Sequence, residues 1–321
     1  MQSQDLIPPY LMHQFWSIDP WVVYQSSERL TVPELLPPKP CIRIIRHARG
    51  VETPEIIHLL RECQAFRPQD IVLYAAQCDA HFHLLTRMKL PCVRWNHNAL
   101  IDERIFKPAN VVRDCYTAVA RVVPFKRLEL AREVQGLKVI GTLEDPYYLS
   151  LIRAVMPTAE FLNEHGRWLI DKEVASLLQR SHAMLLTSDD RIEGNCRAVT
   201  EAMLTGCPVI YTSPQRMCET WLTPETSIGV EPTAAAITRA VKQHWQWDAA
   251  FIRRRTVENV ERYRGNLQAA VAEAASQLGY HDFVLDVQAL VDAKYVLWQD
   301  RERWLAALPR VIREQLDQRK G

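Results

Sequence analysis

Glycine is scarce in this chain, with ten in 321 residues and no G-x-G spacing anywhere. That excludes a phosphate-binding loop of the G-x-G type. The eight cysteines (41, 63, 78, 92, 115, 196, 207, 218) form no C-x-x-C pair. Such scatter fits reduced, mostly buried thiols better than a disulfide framework or a zinc site. His81-x-His83 is the one close pair of metal-ligand types; on a strand the two would share a face, but no third ligand stands nearby. No apolar run approaches the roughly 20 residues that span a bilayer. Neither sign of charge dominates: 39 Lys+Arg against 38 Asp+Glu leave a net +1. Proteins that track nucleic acid usually carry a basic face, and here only local spots such as Arg43, Arg46 and Arg49 suggest one. The opening Met1-Gln2-Ser3-Gln4-Asp5 has neither a basic nor an apolar leader pattern, so the expected location is cytoplasmic.

What is present is a rhythm. The first forty residues are broken by prolines, with one strand expected at 21–25. Alternation follows: strand 41–46, helix 54–66 capped by Thr53 with Pro54 at its first position, strand 71–75, helix 80–88 and strand 92–95. After a polar connector at 98–110, a second series is expected. It runs through strand 117–122, helix 127–134, strand 137–140, helix 147–156, strand 160–162 and helix 172–180. It ends with strand 183–187, helix 197–205, strand 209–212 and helix 233–244. A period of about 25 residues is that of a doubly wound α/β domain with a parallel sheet. From Thr256 onward the chain reads as helical. An apolar stripe through Trp304, Leu305, Leu308, Val311, Ile312 and Leu316 fits packing better than a membrane anchor, because Pro309 interrupts it.

The most informative stretch is Ser188-Asp-Asp-Arg-Ile-Glu-Gly-Asn-Cys-Arg-Ala-Val-Thr-Glu-Ala-Met-Leu-Thr-Gly-Cys-Pro-Val-Ile210. A strand ends at Thr187, a polar loop follows, and a helix begins near Cys196 and stops at Gly206. Backbone N–H groups and the positive end of the helix dipole collect at such a helix start, which suits a diphosphate. Gly194, Asn195, Cys196 and Arg197 stand there, and Gly194 permits close backbone approach. Glu193 and Glu201 flank the spot eight residues apart. Carboxylates do not bind phosphate, so in a site they would accept hydrogen bonds from sugar or ribose hydroxyls. Spacing alone favours a plain helix-start Glu and an exposed mid-helix Glu.

Glu193, Gly194, Glu201, Ala202, Met203, Gly206, Pro208, Val209 and Ile210 together resemble a signature of retaining GT-B glycosyltransferases, the large group of bacterial hexosyl- and mannosyltransferases related to sucrose and glycogen synthases. Asn195 and Cys196 depart from that pattern, where Phe and Gly are usual. Ala118-Val-Ala-Arg-Val-Val-Pro-Phe-Lys126 is similar to the strand-loop whose Arg and Lys clamp the donor diphosphate, and these roles fall on Arg121 and Lys126. Ala120 replaces the usual Gly. Asn98-Ala-Leu-Ile-Asp102 through Phe106-Lys-Pro108 looks like the inter-domain connector, and Leu137–Gly141 like the strand that follows. Phe161-Leu162-Asn163 occupies the place of a loop near the base, with Gly missing.

The resemblance covers about 98–212. It implies an α/β, GT-B-like fold of two Rossmann-like domains facing a cleft. The implied domains are a reduced acceptor-side domain at 1–110, a nucleotide-sugar domain at 111–285, and C-terminal helices at 286–321 packing toward the first. Acceptor-side candidates are Arg46, His47, Arg49 and Gly50, which fit a plain βα turn equally well, and His97. The resemblance implies transfer from a nucleotide-diphosphate sugar with retention, catalysed by Glu193, Arg121 and Lys126. Ser188, Leu162, Gly194, Asn195, Cys196, Arg197 and Glu201 would line the donor. Arg197 fits an added diphosphate clamp and an outward surface position equally. No cofactor is expected, and no metal, since Asp189-Asp190 is adjacent rather than spaced as D-x-D. The acceptor is open among lipid, protein and small molecule, with nucleic acid less favoured by the charge balance; peripheral membrane contact stays possible. Two alternatives are a degenerate binding or scaffold protein and a nucleotide-sugar epimerase.

Overall fold

The computed structural model describes residues 15–18, 20–26, 39–46, 67–163, 169–190, 194, 196–243 and 247–292. The expected helix at 54–66 and the stripe at 304–316 lie outside them. Two compact units result. Of the described residues, one holds those up to Ala76, His81–Asn96 and those from Tyr263; the other holds Gln77–Ala80 and those within His97–Arg262.

The first unit is a five-stranded sheet in the order β1-β2-β3-β4-β5, with β1 Phe15–Ile18, β2 Trp21–Ser26, β3 Ile42–Arg46, β4 Ile71–Ala76 and β5 Cys92–Arg94. Strands β2 to β5 are parallel and β1 pairs antiparallel with β2. The β-branched run Ile42-Arg-Ile-Ile45 is buried, as a strand inside a parallel sheet requires. Helix α1 (Asp79–Arg87) links β4 to β5, and its Leu85 packs with Ile45, Val72 and Tyr74. His81 and His83 thus sit on a helix, one buried and one exposed, so their side chains diverge and the shared face of the strand reading does not exist. No group of three metal-ligating side chains occurs among the described residues.

Arg43 is not part of a basic surface spot. It is buried, with Nε 3.9 Å from Asp70, whose carboxylate also pairs with Arg67 at 3.1 Å and accepts the Cys41 backbone N–H at 3.1 Å. Burial and the neighbouring Asp70 push the Cys41 thiol up to about 12, and chiefly burial does the same to Cys207. A thiol whose folded value is raised above its ordinary value favours the folded state's neutral form. That preference costs nothing below about pH 9, but above it the unfolded chain ionises first. Stability should therefore fall by about 1.4 kcal/mol per pH unit for each thiol between about pH 9 and 12. Urea denaturation at pH 8 and pH 10 checks this, and both thiols should resist iodoacetamide at pH 8 until the protein is unfolded.

The second unit is a six-stranded, all-parallel sheet in the order β11-β10-β9-β6-β7-β8. Its strands are β6 Cys115–Val119, β7 Leu137–Ile140, β8 Glu160–Phe161, β9 Ser181–Leu186, β10 Val209–Thr212 and β11 Ser227–Val230. Its helices are α2 Pro146–Val155, α3 Asp171–Gln179, α4 Arg197–Leu204 and α5 Ala234–Lys242, followed by the long α6 Ala249–Gln277, whose residues from Tyr263 count with the first unit. Asp145 caps α2 by accepting the Tyr148 N–H at 2.9 Å, and Thr233 caps α5. The helix expected at 127–134 is absent. Two 3₁₀ turns, Pro124–Lys126 and Leu128–Ala131, replace it, with left-handed Arg127 between them at φ 46°. No helix among the described residues is long and apolar enough to cross a membrane.

Candidate functional site

Strand order reverses once in the second sheet. The chain runs β6, β7, β8 outward on one side, then returns to place β9 on the other side of β6. Ligands of open α/β sheets bind outside the carboxyl ends of the strands at such a switch point. The loops there are 120–127, after β6, and 187–196, after β9. These are the loops in which the sequence placed Arg121, Lys126 and the helix-start residues.

The two loops are stitched together. Thr187 Oγ1 donates to the Lys126 carbonyl at 2.6 Å, and the Asp189 N–H donates to the Phe125 carbonyl at 2.8 Å. Arg127 reaches across, giving Nε–H to Thr187 O at 2.9 Å and Nη2–H to Ser188 O at 2.6 Å and Thr212 Oγ1 at 3.0 Å. Gln215 adds a bond to Ser188 O at 2.8 Å. Ser188 is therefore a buried backbone anchor of the loop. Sequence reasoning misses Arg127 and Gln215, because neither belongs to a motif and both act on carbonyls distant in sequence.

Arg121 and Lys126 are brought together around one ring. The Arg121 guanidinium carbon lies 5.4 Å from the Phe125 ring centroid and the Lys126 Nζ 5.2 Å from it. Their environments differ: the Lys126 side chain is buried, while Arg121 is largely exposed and pairs with Glu144 at 3.2 Å. Two cations flanking a face can neutralise a diphosphate. The floor beneath them depends on Gly141. At φ 156° its missing Cβ would stand 1.9 Å from the Ala120 carbonyl oxygen, and its N–H donates to Asn163 Oδ1 at 2.8 Å. Only glycine at 141 lets the Ala120 main chain pass this close. Gly141→Ala should lower stability by about 1–3 kcal/mol through overpacking. Thermal melting measures it.

Helix α4 begins at Arg197, with Cys196 as its N-cap residue, and no side chain caps its N-terminus. Asn98, in the connector, donates Nδ2–H to Thr200 Oγ1 at 3.0 Å and to the Cys196 carbonyl at 3.3 Å, fixing where the helix starts. Glu201 is buried, not an exposed mid-helix residue. It is held by Arg197, one turn back, which also pairs with Asp171 at 3.1 Å. Arg197 thus directs its guanidinium at carboxylates. Leu162 follows β8, its N–H bonded to Val139 O at 3.0 Å, and His97 Nδ1 lies 2.6 Å from Gln77 Oε1. Gly194 is half-buried beside α4; Glu193, Asn195, His47 and Arg49 lie outside the described residues.

Neither family models nor curated proteins match the sequence. Solved structures do match, and two with TM-scores above 0.5 share the fold. AviGT4, a glycosyltransferase involved in avilamycin A biosynthesis, aligns with TM-score 0.54 at 20% identity over 79% of this chain and 74% of its own. Anabaena HepE, solved with UDP-glucose, aligns with TM-score 0.53 at 13% identity over 74% and 72%. A sucrose-phosphate synthase from Thermosynechococcus elongatus aligns with TM-score 0.46 at 16% identity over 74% of this chain and 66% of its own. The chain has a GT-B-like α/β fold of two Rossmann-like units, the first of them reduced.

Proposed function

We propose that this protein is a glycosyltransferase that moves a sugar from a nucleotide-diphosphate donor to an acceptor hydroxyl, with retention at the anomeric carbon. The observation that carries this reading is the Arg121–Phe125–Lys126 cluster at the switch point. The buried Lys126 and the start of α4 would hold the diphosphate, and Arg121 would exchange Glu144 for it. As the sugar leaves, negative charge grows on the diphosphate. Cations already in place stabilise that charge without reorganising. Glu201, kept in position by Arg197, would accept a hydroxyl of the ribose, and Glu193 one of the sugar. Charge neutralisation by side chains leaves no step that needs a metal, so activity is expected to survive EDTA.

The test is a thermal-shift screen against UDP-, GDP-, ADP- and TDP-sugars, UDP-glucose first because HepE was solved with it. A true donor at 100 times its Kd adds about 2.7 kcal/mol of stability. NMR of the reaction with candidate acceptors then reads the anomeric configuration of the product. A binding protein without turnover is the second reading. It is favoured by the pairing of Arg121 with Glu144 and of Glu201 with Arg197 within the chain itself. Donor binding without transfer or hydrolysis would select it, and a product still attached to nucleotide would select an epimerase.

A further inference from the structure

The second unit has an open cavity at the opposite end of its sheet. It spans about 860 Å³ at the amino ends of β9 and β10 and the C-terminus of α5. That volume falls within the roughly 300–1,000 Å³ of small-molecule sites. His182 lies at its mouth and Ser188 is six residues further along the same strand and loop. At about 3.3 Å per residue that places this cavity on the order of 20 Å from the switch-point site.

The lining has a definite chemistry. Ile210 contributes to an apolar floor and Tyr116 and Trp247 supply aromatic walls, while Arg113, His182 and Lys242 bring the polar groups. No carboxylate lines it among the described residues. His182 and Lys242 are exposed, and the His182 ring packs against Tyr116 at 5.3 Å between centroids. Carbonyls at a helix C-terminus ordinarily repel anions, but those nearest here are already taken. Tyr116 Oη donates to Val241 O at 3.2 Å, and the Gln243 N–H to Arg239 O and Ala240 O. Arg113 Nη2 donates to Gly206 O at 2.9 Å, and Nη1 to His182 O at 3.5 Å. A guanidinium has five N–H donors, more than these two carbonyls take, and Arg113 lines the cavity.

We propose that this cavity is a second binding site, for a phosphorylated ligand that carries a ring. The phosphate sits between Arg113, His182 and Lys242. The ring lies against Tyr116 and Trp247. This assignment is independent of the transferase reading, because it uses none of the switch-point residues.

Calorimetric titration of the full chain with AMP, ribose 5-phosphate and adenosine tests it. At least one of the phosphorylated probes should bind at least about tenfold more tightly than adenosine, since the phosphate supplies charge-assisted bonds. AMP above ribose 5-phosphate assigns a nucleotide; the reverse assigns a sugar phosphate. Lys242→Glu and His182→Glu, both surface changes, should each weaken binding about tenfold, and Lys242→Arg should retain it. Lys126→Ala should leave it unchanged. The proposal is overturned if neither phosphorylated probe binds below millimolar concentration, if the Glu variants bind as wild type does, or if Lys126→Ala abolishes binding. The last result would place the nucleotide at the switch point instead.

Discussion

Lys126→Ala is expected to abolish the thermal shift given by the donor and to lower kcat/KM by about 100-fold or more. Removal of one preorganised charge-stabilising donor typically costs that much. The reason lies in where Lys126 sits. Its side chain is buried beside Phe125, and its backbone carbonyl is bound to Thr187 at the junction of the two loops. An ammonium already largely withdrawn from water makes a stronger ion pair with a diphosphate than one in bulk solvent. Arg121→Ala should cost less, because Arg121 is exposed and already shared with Glu144. Truncation also removes the buried Lys126 stem beside Phe125, so the melting temperature of each variant is measured without donor and the shift is read from that baseline. A variant that melts normally but keeps the donor shift would refute the diphosphate clamp; equal losses for the two cations would refute the ranking.

Much of this arrangement is legible in the amino-acid sequence, and what escapes it does so for physical causes. The isoleucines at 42, 44 and 45 and the apolar run Ala183–Leu186 read as buried strands, so the sequence places β3 and β9 to within two residues. Strands β1 and β11 escape because Phe15–Ile18 lies in a stretch broken by prolines and Ser227–Val230 carries Gly229, a poor strand former. Arg127–Val134 contains good helix formers, yet tertiary bonds override them. The Leu128 N–H is taken by Tyr148 Oη at 2.8 Å, and Arg127 adopts a left-handed turn while its side chain spans to Thr187 and Ser188. Within the site, the charged residues carry a signal because diphosphate chemistry demands them in order along the chain. The residues that aim them, Arg127, Asn163, Gln215 and Gln77, bond to groups far away in sequence and leave no trace there. Burial is the other unreadable quantity. Glu201 and Arg43 each look like surface charges in sequence, and each proves buried with an opposite charge beside it.

Arg43 leads to the second large effect, which is on stability alone. Asp70→Ala should destabilise the protein by about 3–5 kcal/mol, because removing one partner of a buried ion pair strands the other charge. Three groups converge on this carboxylate: the buried Arg43, the Arg67 guanidinium at 3.1 Å and the Cys41 backbone N–H at 3.1 Å. Asp70 stands one residue before β4, and Cys41 one residue before β3, so the carboxylate ties together the entrances of two neighbouring parallel strands. The Cys41 carbonyl in turn accepts the Ile71 N–H at 3.0 Å, closing the same junction from the other side. Asp70→Asn keeps the shape and can still accept from Cys41, but it leaves Arg43 without that negative charge. It should therefore recover only part of the loss. The double change Arg43→Met with Asp70→Ala removes both charges from the buried junction and should recover more than Asp70→Asn, since a buried pair replaced by apolar groups is often neutral. Urea denaturation of the four proteins orders them. If Asp70→Ala costs less than about 1 kcal/mol, Arg43 is neutralised by something other than this carboxylate.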